Sequence, residues 1–378
     1  MAGPANEHGR FAAAAAAQRL AQDAGFALCG IADAGPSDFA AFFADWLAAG
    51  RHGEMAYLAE HADLRVDPGR LVEGAVSVIV VADAYPGLEQ AAASPHPADR
   101  PAGRIAKYAW GDDYHKTIKK RLHAVCDALS VAYPDHTFRA TTDTAPIFER
   151  ELASRAGLGW TGKHTLMIHP RLGSYFLLGT IVTTLPMQTS EMAGFPDPLA
   201  PPTDHCGGCT RCIDACPTDA IAAEGYSLDA TRCISYLTLE HRSTIAPALL
   251  SGMGDWVAGC DICQDVCPHN RRRLALEREQ HQAEAIRFEP RYAPRSPAPS
   301  LDLLAVLDWS EEDRRLAFTG SALKRIKLNM LKRNALIALS NRGDGRSWHA
   351  VRQFAQRTDE DPLPLDTAKQ LISSRARA

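Results

Sequence analysis

Eight of the ten cysteines lie between Cys206 and Cys267. The run Cys206-Gly-Gly-Cys209-Thr-Arg-Cys212-Ile-Asp-Ala-Cys216-Pro217 has C-x2-C-x2-C-x3-C-P spacing. A cubane 4Fe–4S cluster needs one thiolate per iron. Three thiolates on a tight loop wrap three corners, and the fourth cysteine, followed by proline, points away to ligate a second cluster. The second run, Cys260-Asp-Ile-Cys263-Gln-Asp-Val-Cys267-Pro268, lacks one early cysteine, and Cys233 is the available substitute. Crossover ligation then gives two sets: Cys206, Cys209, Cys212 and Cys267 for cluster one, and Cys216, Cys233, Cys260 and Cys263 for cluster two. Zinc sites rarely use such a run, and a disulfide framework suits a small secreted domain better. Cys29 and Cys126 fall outside the pattern, in apolar surroundings, and read as small buried hydrophobes.

The elements that must position these thiols divide a chain of 378 residues into three parts. Residues 1–186 read as an α/β domain. Helical spacing covers Phe11–Asp23 and Asp113–Tyr133, the second stopped by Pro134. Phe26–Ala32 is a short apolar segment, and the continuous β-branched run Ser77–Ala84 is a buried strand. Thr137–Thr142 is a further strand. It leads through Asp143-Thr-Ala-Pro146 into a helix ending at Gly157 or Gly159, with Asp143 suited to the N-cap. Thr165–His169 and Ser174–Leu185, joined by Pro-Arg-Leu-Gly, read as a β-hairpin. Residues 187–289 form the ferredoxin-like cluster domain, entered through the loop Pro186–Asp204. Pro290–Pro299, with four prolines, reads as a linker.

Residues 290–378 are helical. Leu323, Ile326, Met330 and Ile337 share a helical face, and shorter helices follow near Trp348–Arg357 and Thr367–Arg375, a pattern similar to an α-repeat of HEAT type. The fold class is therefore α+β and multidomain. Net charge is −4, yet Arg314–Arg357 holds eleven basic residues against Asp344 alone, +10 over 44 residues. Such asymmetry points to a polyanion, and RNA is the expected partner. No export signal or apolar run of membrane-spanning length is present, so the expected location is the cytoplasm.

Two clusters form a short wire, and about 200 residues ahead of them imply a substrate or second cofactor in the first domain. No Gly-x-Gly-x-x-Gly follows a strand, so a Rossmann-type nicotinamide site is unsupported. No Asp-x-His-x-x-Gly offers a histidine ligand to cobalt. The residues alone leave the terminal acceptor open.

Four separated segments carry a resemblance. They are Asp143-Thr-Ala-Pro-Ile-Phe-Glu-Arg-Glu-Leu-Ala, Ala156-Gly-Leu-Gly-Trp-Thr-Gly-Lys163, Cys233-Ile-Ser-Tyr-Leu-Thr-Leu-Glu240 and Gly259-Cys-Asp-Ile-Cys-Gln-Asp-Val-Cys-Pro-His-Asn270. With Tyr108-Ala-Trp-Gly-Asp-Asp-Tyr-His115 and Arg333-Asn334-Ala-Leu, the chain from about Met55 to about Asn341 resembles the epoxyqueuosine reductases. The resemblance implies a cobalamin-dependent, two-cluster enzyme that reduces epoxyqueuosine to queuosine at the tRNA wobble position, with cob(I)alamin fed by the clusters. It implies Asp143 as proton donor, a role that burial would serve by raising its pKa towards neutrality. It places cobalamin contacts, many through backbone, at Arg65, Ala106, Tyr108, Asp143, Met167 and Leu178, and at Thr218, Ser235 and Asp261 beside cluster ligands. Met167 and Leu178 read equally as strand core, and Arg65 as a surface ion pair.

The tRNA contacts expected on the basic tail are Lys324, Arg325, Lys327, Lys332 and Arg333, with Arg242 nearer the active site. A monomer served by a separate electron donor completes the expectation. The rival readings are a reductive dehalogenase-like cobalamin enzyme acting on a small molecule, and an electron-transfer ferredoxin subunit. The dehalogenases resemble exported proteins with a twin-arginine signal, which this chain lacks.

Overall fold

A computed structural model describes residues 4–87, 100–190, 205–271, 289–295 and 299–376. Most of the Pro186–Asp204 loop and the charged stretch 272–288 lie outside the described residues. The fold is mixed helix and sheet in several parts, as expected. Its strands are β1 (Leu28–Asp33), β2 (Ser77–Ala84), β3 (Ala102–Ile105), β4 (Phe138–Thr141), β5 (Trp160–Thr161), β6 (Met167–Ile168), β7 (Phe176–Thr183), β8 (Trp256–Ala258) and β9 (Ser300–Asp302).

The main sheet has the order β1-β2-β7-β4, and every pairing in it is antiparallel. All eight β2 residues are buried because both faces of the strand are covered. Ile79 and Val81 pack with Ala13, Ala14 and Ala17 of the helix Pro4–Asp23 and with Ile118 and Leu122 of the helix Tyr114–Ala132. Val78 and Val80 face Leu152 and Ala153 of the helix Glu149–Arg155. A strand buried on both faces has no polar side to alternate with, which is why its sequence is a continuous apolar run. Cys126 lies in the first of these cores, with Cys29 against it, and burial pushes both thiols up to about 12.

The expected hairpin of Thr165–His169 with Ser174–Leu185 does not form as such. The Pro-Arg-Leu-Gly turn is closed by one bridge, His169 to Gly173, but β6 pairs with β5, while β7 enters the main sheet between β2 and β4. Pattern identified the strands; partners far away in sequence decided their pairing.

The boundary expected at 289/290 is crossed by a single core. Leu237, Met253 and Trp256 of the cluster region share it with Leu303, Leu331, Leu336, Val351 and Leu371. A second sheet, β8-β3-β9, takes one strand from each of the three expected domains. The described part of the proline segment, residues 290–295, is packed rather than a free linker: Tyr292 is 1% exposed, its hydroxyl donates to Asp83 at 2.7 Å, and Arg121 donates to the same carboxylate at 2.6 Å. Leu323 and Ile326 precede the helix Leu328–Arg342 that carries Met330 and Ile337, so the four apolar residues share a core but not one helix.

Arg333 is wholly buried in that core and donates to the carbonyls of Leu237 (2.5 Å), His241 (2.6 Å) and Ser243 (2.7 Å). It therefore cannot face RNA, and the expectation that it does is corrected. Lys332, 6% exposed, is spent on Glu360 at 2.8 Å and is corrected likewise. Replacing Arg333 by Met strands the buried Leu237 carbonyl, worth about 1–3 kcal/mol, and frees the part-buried carbonyls of His241 and Ser243 that hold the following loop. The urea midpoint should fall by the equivalent of about 3 kcal/mol or more, while Lys327→Ala on the exposed surface shifts it by less than about 0.5 kcal/mol.

Candidate functional site

The four thiols of the first expected set, Cys206, Cys209, Cys212 and Cys267, line one cavity together with Lys163, His164, His205, Arg211 and His269. Residues 206–212 and Cys267 are brought together because the helices Arg211–Asp214 and Ile262–Asp265 pack side by side. Burial raises the Cys212 thiol to about 11, and the further groups that raise it are Cys206, Cys267 and Cys209. Cys260 is raised first by burial and then by Cys233, Asp261 and Cys216. The thiols thus fall into two electrostatic neighbourhoods, one around Cys206, Cys212 and Cys267 and one around Cys216, Cys233 and Cys260. Cys212 also acts on Cys263, which makes the neighbourhoods adjoin.

Backbone N–H groups converge on the sulfurs, as thiolates require: Ala220 on Cys216 at 3.3 Å, Ser235 and Tyr236 on Cys233, and Ile262 on Cys260. A clustered donor set of eight soft thiols with N–H groups aimed at them fits two iron–sulfur clusters.

A second region lies at the end of β4, where Asp143 stands with φ 55°. Asp143 is not the N-cap of the following helix. That position is Phe148, and the chain from 143 to 148 is a separate loop. Aspartate is among the few side chains that tolerate the left-handed region, and such strained positions recur at functional sites. Glu149 secures the turn by accepting the Asp143 N–H at 2.8 Å.

The Asp143 carboxylate, 47% exposed, accepts hydrogen bonds from Tyr114 Oη and His115 Nε2, both at 2.9 Å. Burial raises its pKa, but the bonds from His115 and Tyr114 outweigh burial and leave it below the usual aspartate value. The expectation that burial lifts Asp143 towards neutrality is corrected. The raised acids are its neighbours. Burial and then the Asp143 charge push Glu149 up to about 8. Burial lowers His115, yet its bonds to Asp143 and Asp113 prevail and its pKa is raised. With Nδ1 on Asp113 at 2.8 Å and Nε2 on Asp143, two carboxylates flank the ring and favour its imidazolium form, in which both nitrogens donate. Sequence reading missed His115 and Glu149, although both lie inside the quoted motifs.

Arg65 borders this site. It stands 5.9 Å from the Tyr57 ring, feels the Asp143 and Glu149 charges, and has a buried Nε with no partner among the described residues. That arrangement replaces the surface ion-pair reading. Tyr108 hydrogen-bonds Arg325, which pairs with Glu240 at 2.8 Å and acts electrostatically on Asp143. Arg325 thus belongs to the wall of the Asp143 cleft. Tyr108, Leu178 and Ser235 are half-buried; Ala106, Met167, Thr218 and Asp261 are buried, so these four would act through backbone or by shape. The Asp261 carboxylate is occupied by Lys107, whose N–H donates at 2.8 Å. An added Cβ on Gly259 would stand 2.6 Å from Ala106 Cβ and 3.5 Å from Tyr108. The cluster-two loop and the Ala106–Tyr108 segment are therefore one continuous wall, ending at Arg325 and Asp143.

On the basic side, Lys324 and Lys327 are exposed and have no ion pair among the described residues. Arg242 is exposed on a loop whose N–H donates to Glu54 at 2.6 Å. Many of the other charges are cancelled. Arg314 pairs with Glu311, Arg315 with Glu312, Arg342 with Asp344, and Arg357 with Asp308 and Glu360. Widening the window to 308–361 sets the same eleven bases against eight acids, a balance of +3. Among the described residues no helix is long and apolar enough to cross a membrane.

A family model described as "4Fe-4S double cluster binding domain" matches residues 205–270, and one described as "Epoxyqueuosine reductase QueG, DUF1730" matches 65–144. The chain is 39% identical over 84% of its length to the epoxyqueuosine reductase of Cyclobacterium marinum, covering 94% of that protein. It is 38% identical to that of Pseudomonas aeruginosa, covering 85% of this chain and 83% of the other. A crystal structure of epoxyqueuosine reductase with a tRNA-Tyr epoxyqueuosine-modified stem loop superposes with TM-score 0.78 at 26% identity, over 94% of this chain and 88% of that one. The Bacillus subtilis enzyme, solved with its catalytic aspartate loop swung out of the active site, gives TM-score 0.76 at 25% identity over 94% and 88%. With its paired thiol sets, its Asp143 loop and these relatives, the chain belongs to the epoxyqueuosine reductase family.

Proposed function

We propose that the protein reduces epoxyqueuosine to queuosine in tRNA, with cobalamin as the terminal electron carrier and two 4Fe–4S clusters as its supply, in the cytoplasm. Removing the epoxide oxygen consumes two electrons and two protons and yields an alkene and water. The observation that carries the reading is the Asp143 carboxylate bonded to an imidazolium, His115, in a cleft whose opposite wall runs into the cluster-two loop. Cobalamin, when bound, supplies the reducing equivalents to the epoxide carbon. Arg65, Ala106, Tyr108, Asp143, Met167, Leu178, Thr218, Ser235 and Asp261 would hold it. The unpartnered Nε of Arg65 supports a polar ligand there, since a buried donor without an acceptor is costly.

The residues of the chain handle the protons. Asp143 presents a carboxyl to the opening oxygen, and His115 holds the proton that replenishes it. Tyr114 bonds the same oxygen of Asp143 and fixes its direction. Arg325 and Arg65 keep positive charge beside the oxygen as negative charge develops on it. For the RNA, Lys324 and Lys327 offer phosphate contacts, while Arg325 is engaged with Glu240 and Tyr108 in the cleft wall. Arg242 is the third, presented by a loop that Arg333 and Glu54 hold.

Asp143→Asn should lower turnover by about 100-fold or more with cluster and cobalamin spectra unchanged; turnover near wild type would sink the assignment. His115 must be protonated to act, and its pKa is raised. Turnover should therefore persist below that pKa and fall as pH rises through it, and His115→Gln should remove this limb from the kcat profile. Reversing Lys324 and Lys327 to Glu should weaken tRNA binding and reduce the slope of log affinity against log salt by about 2, read by filter binding. Cys233→Ala should remove one cluster and about half the iron while the signal of the other persists.

A further inference from the structure

The cavity formed by the cluster-one thiols contains a side chain that ligation does not use. His164 lines it beside Cys206, Cys209, Cys212 and Cys267 and is 4% exposed. The Leu166 N–H donates to its Nδ1 at 3.2 Å. An imidazole nitrogen that accepts a hydrogen bond carries no proton, so the ring is neutral and its one N–H is at Nε2. That Nε2 is sealed from solvent and finds no acceptor among the described residues, cysteine sulfur included.

Trp160 repeats the pattern. It is 5% exposed, packs with Cys206 and Cys267, and has an indole Nε1 equally sealed and without an acceptor. Buried donors in folded proteins are nearly always paired. Two orphans against the same thiol pair call for an acceptor that the described residues do not supply, and the sulfides of a 4Fe–4S cluster are such acceptors.

We propose that His164 donates an Nε2–H···S hydrogen bond to cluster one and thereby raises that cluster's reduction potential. Reduction adds one negative charge to the cluster, and a donor at sulfur stabilises the reduced form more than the oxidised one. His164 is in this sense a positioning residue. It binds neither substrate nor iron and acts through the cluster. The inference rests on the two-cluster domain and is independent of cobalamin.

The test is an EPR-monitored redox titration of the holoprotein carrying both clusters. In His164→Phe, one of the two potentials should fall, with about a tenfold loss in its reduction equilibrium constant, or about 59 mV for one electron. The other potential should stay in place. His164→Gln keeps an N–H donor and should restore most of the shift. Unchanged potentials in His164→Phe at full iron content would overturn the proposal. Should the Phe variant fail to load iron, 15N-histidine labelling decides. A 15N hyperfine coupling to a reduced cluster that is present in wild type and lost in His164→Gln carries the proposal. Identical spectra from the two proteins reject it.

Discussion

Lys107 brings its ammonium nitrogen into a site where the residue is only 3% exposed, and two carboxylates meet it there, Asp265 at 2.6 Å and Asp261 at 3.3 Å. Its own backbone N–H also donates to Asp261. Asp261 lies between Cys260 and Cys263, and Asp265 between Cys263 and Cys267. One lysine therefore holds both turns of the second cysteine run against the end of β3. Tyr175, from the approach to β7, donates to Asp265 at 2.6 Å and ties the same point to the main sheet. Removing one partner of such a buried set leaves an uncompensated charge, a loss of about 3–5 kcal/mol. The cluster loop, the Ala106–Tyr108 wall and the cleft beyond it all take their relative positions from this contact.

That contact also marks what could be read from the sequence. Cluster ligation is local chemistry with fixed spacing, so the eight cysteines and their crossover were legible as two sets. Cys233, far from the other members of its set, is proposed for it because the second run visibly lacks a thiolate. Lys107 and Asp261 are 154 residues apart, and nothing in either segment names the other. The main sheet shows the same limit. Ser77–Ala84 announced a buried strand through its composition, whereas Ser174–Leu185 looked like half of a hairpin and instead pairs with β2 and β4. The proline segment looked like a linker because prolines mark loops, but its Tyr292 is anchored on Asp83 and Arg121 by bonds that only the fold could supply.

Charge read along the sequence misled for a related reason. The +10 of residues 314–357 depended on where the window was cut. Glu311, Glu312 and Glu360 stand just outside it and neutralise Arg314, Arg315 and Lys332. What remains for a polyanion is narrower and better placed: Lys324 and Lys327 on the surface, with Arg325 between them turned towards Tyr108 and Asp143. Arg333 stays relevant in another capacity. By binding the carbonyls of His241 and Ser243 it fixes the two neighbours of Arg242, so a residue that cannot touch RNA sets the geometry of one proposed to do so.

The proton chemistry of the cleft follows from how two carboxyls share it. Asp143 and Glu149 are joined by the Asp143 N–H, and their environments pull their acidities apart. His115 and Tyr114 stabilise the Asp143 charge, while Glu149, buried beside that charge, is pushed up to about 8. A neutral Glu149 also removes the repulsion that a second anion would bring to the turn. An acid of lowered pKa is a poor reservoir but a strong donor, and the imidazolium bonded to the same oxygen supplies what it lacks. Epoxide opening places negative charge on an alkoxide oxygen far more basic than aspartate or imidazole. In the proposed reaction, proton transfer from the pair is therefore downhill at the moment it is needed, and before that moment the proton stays on His115, held between two carboxylates.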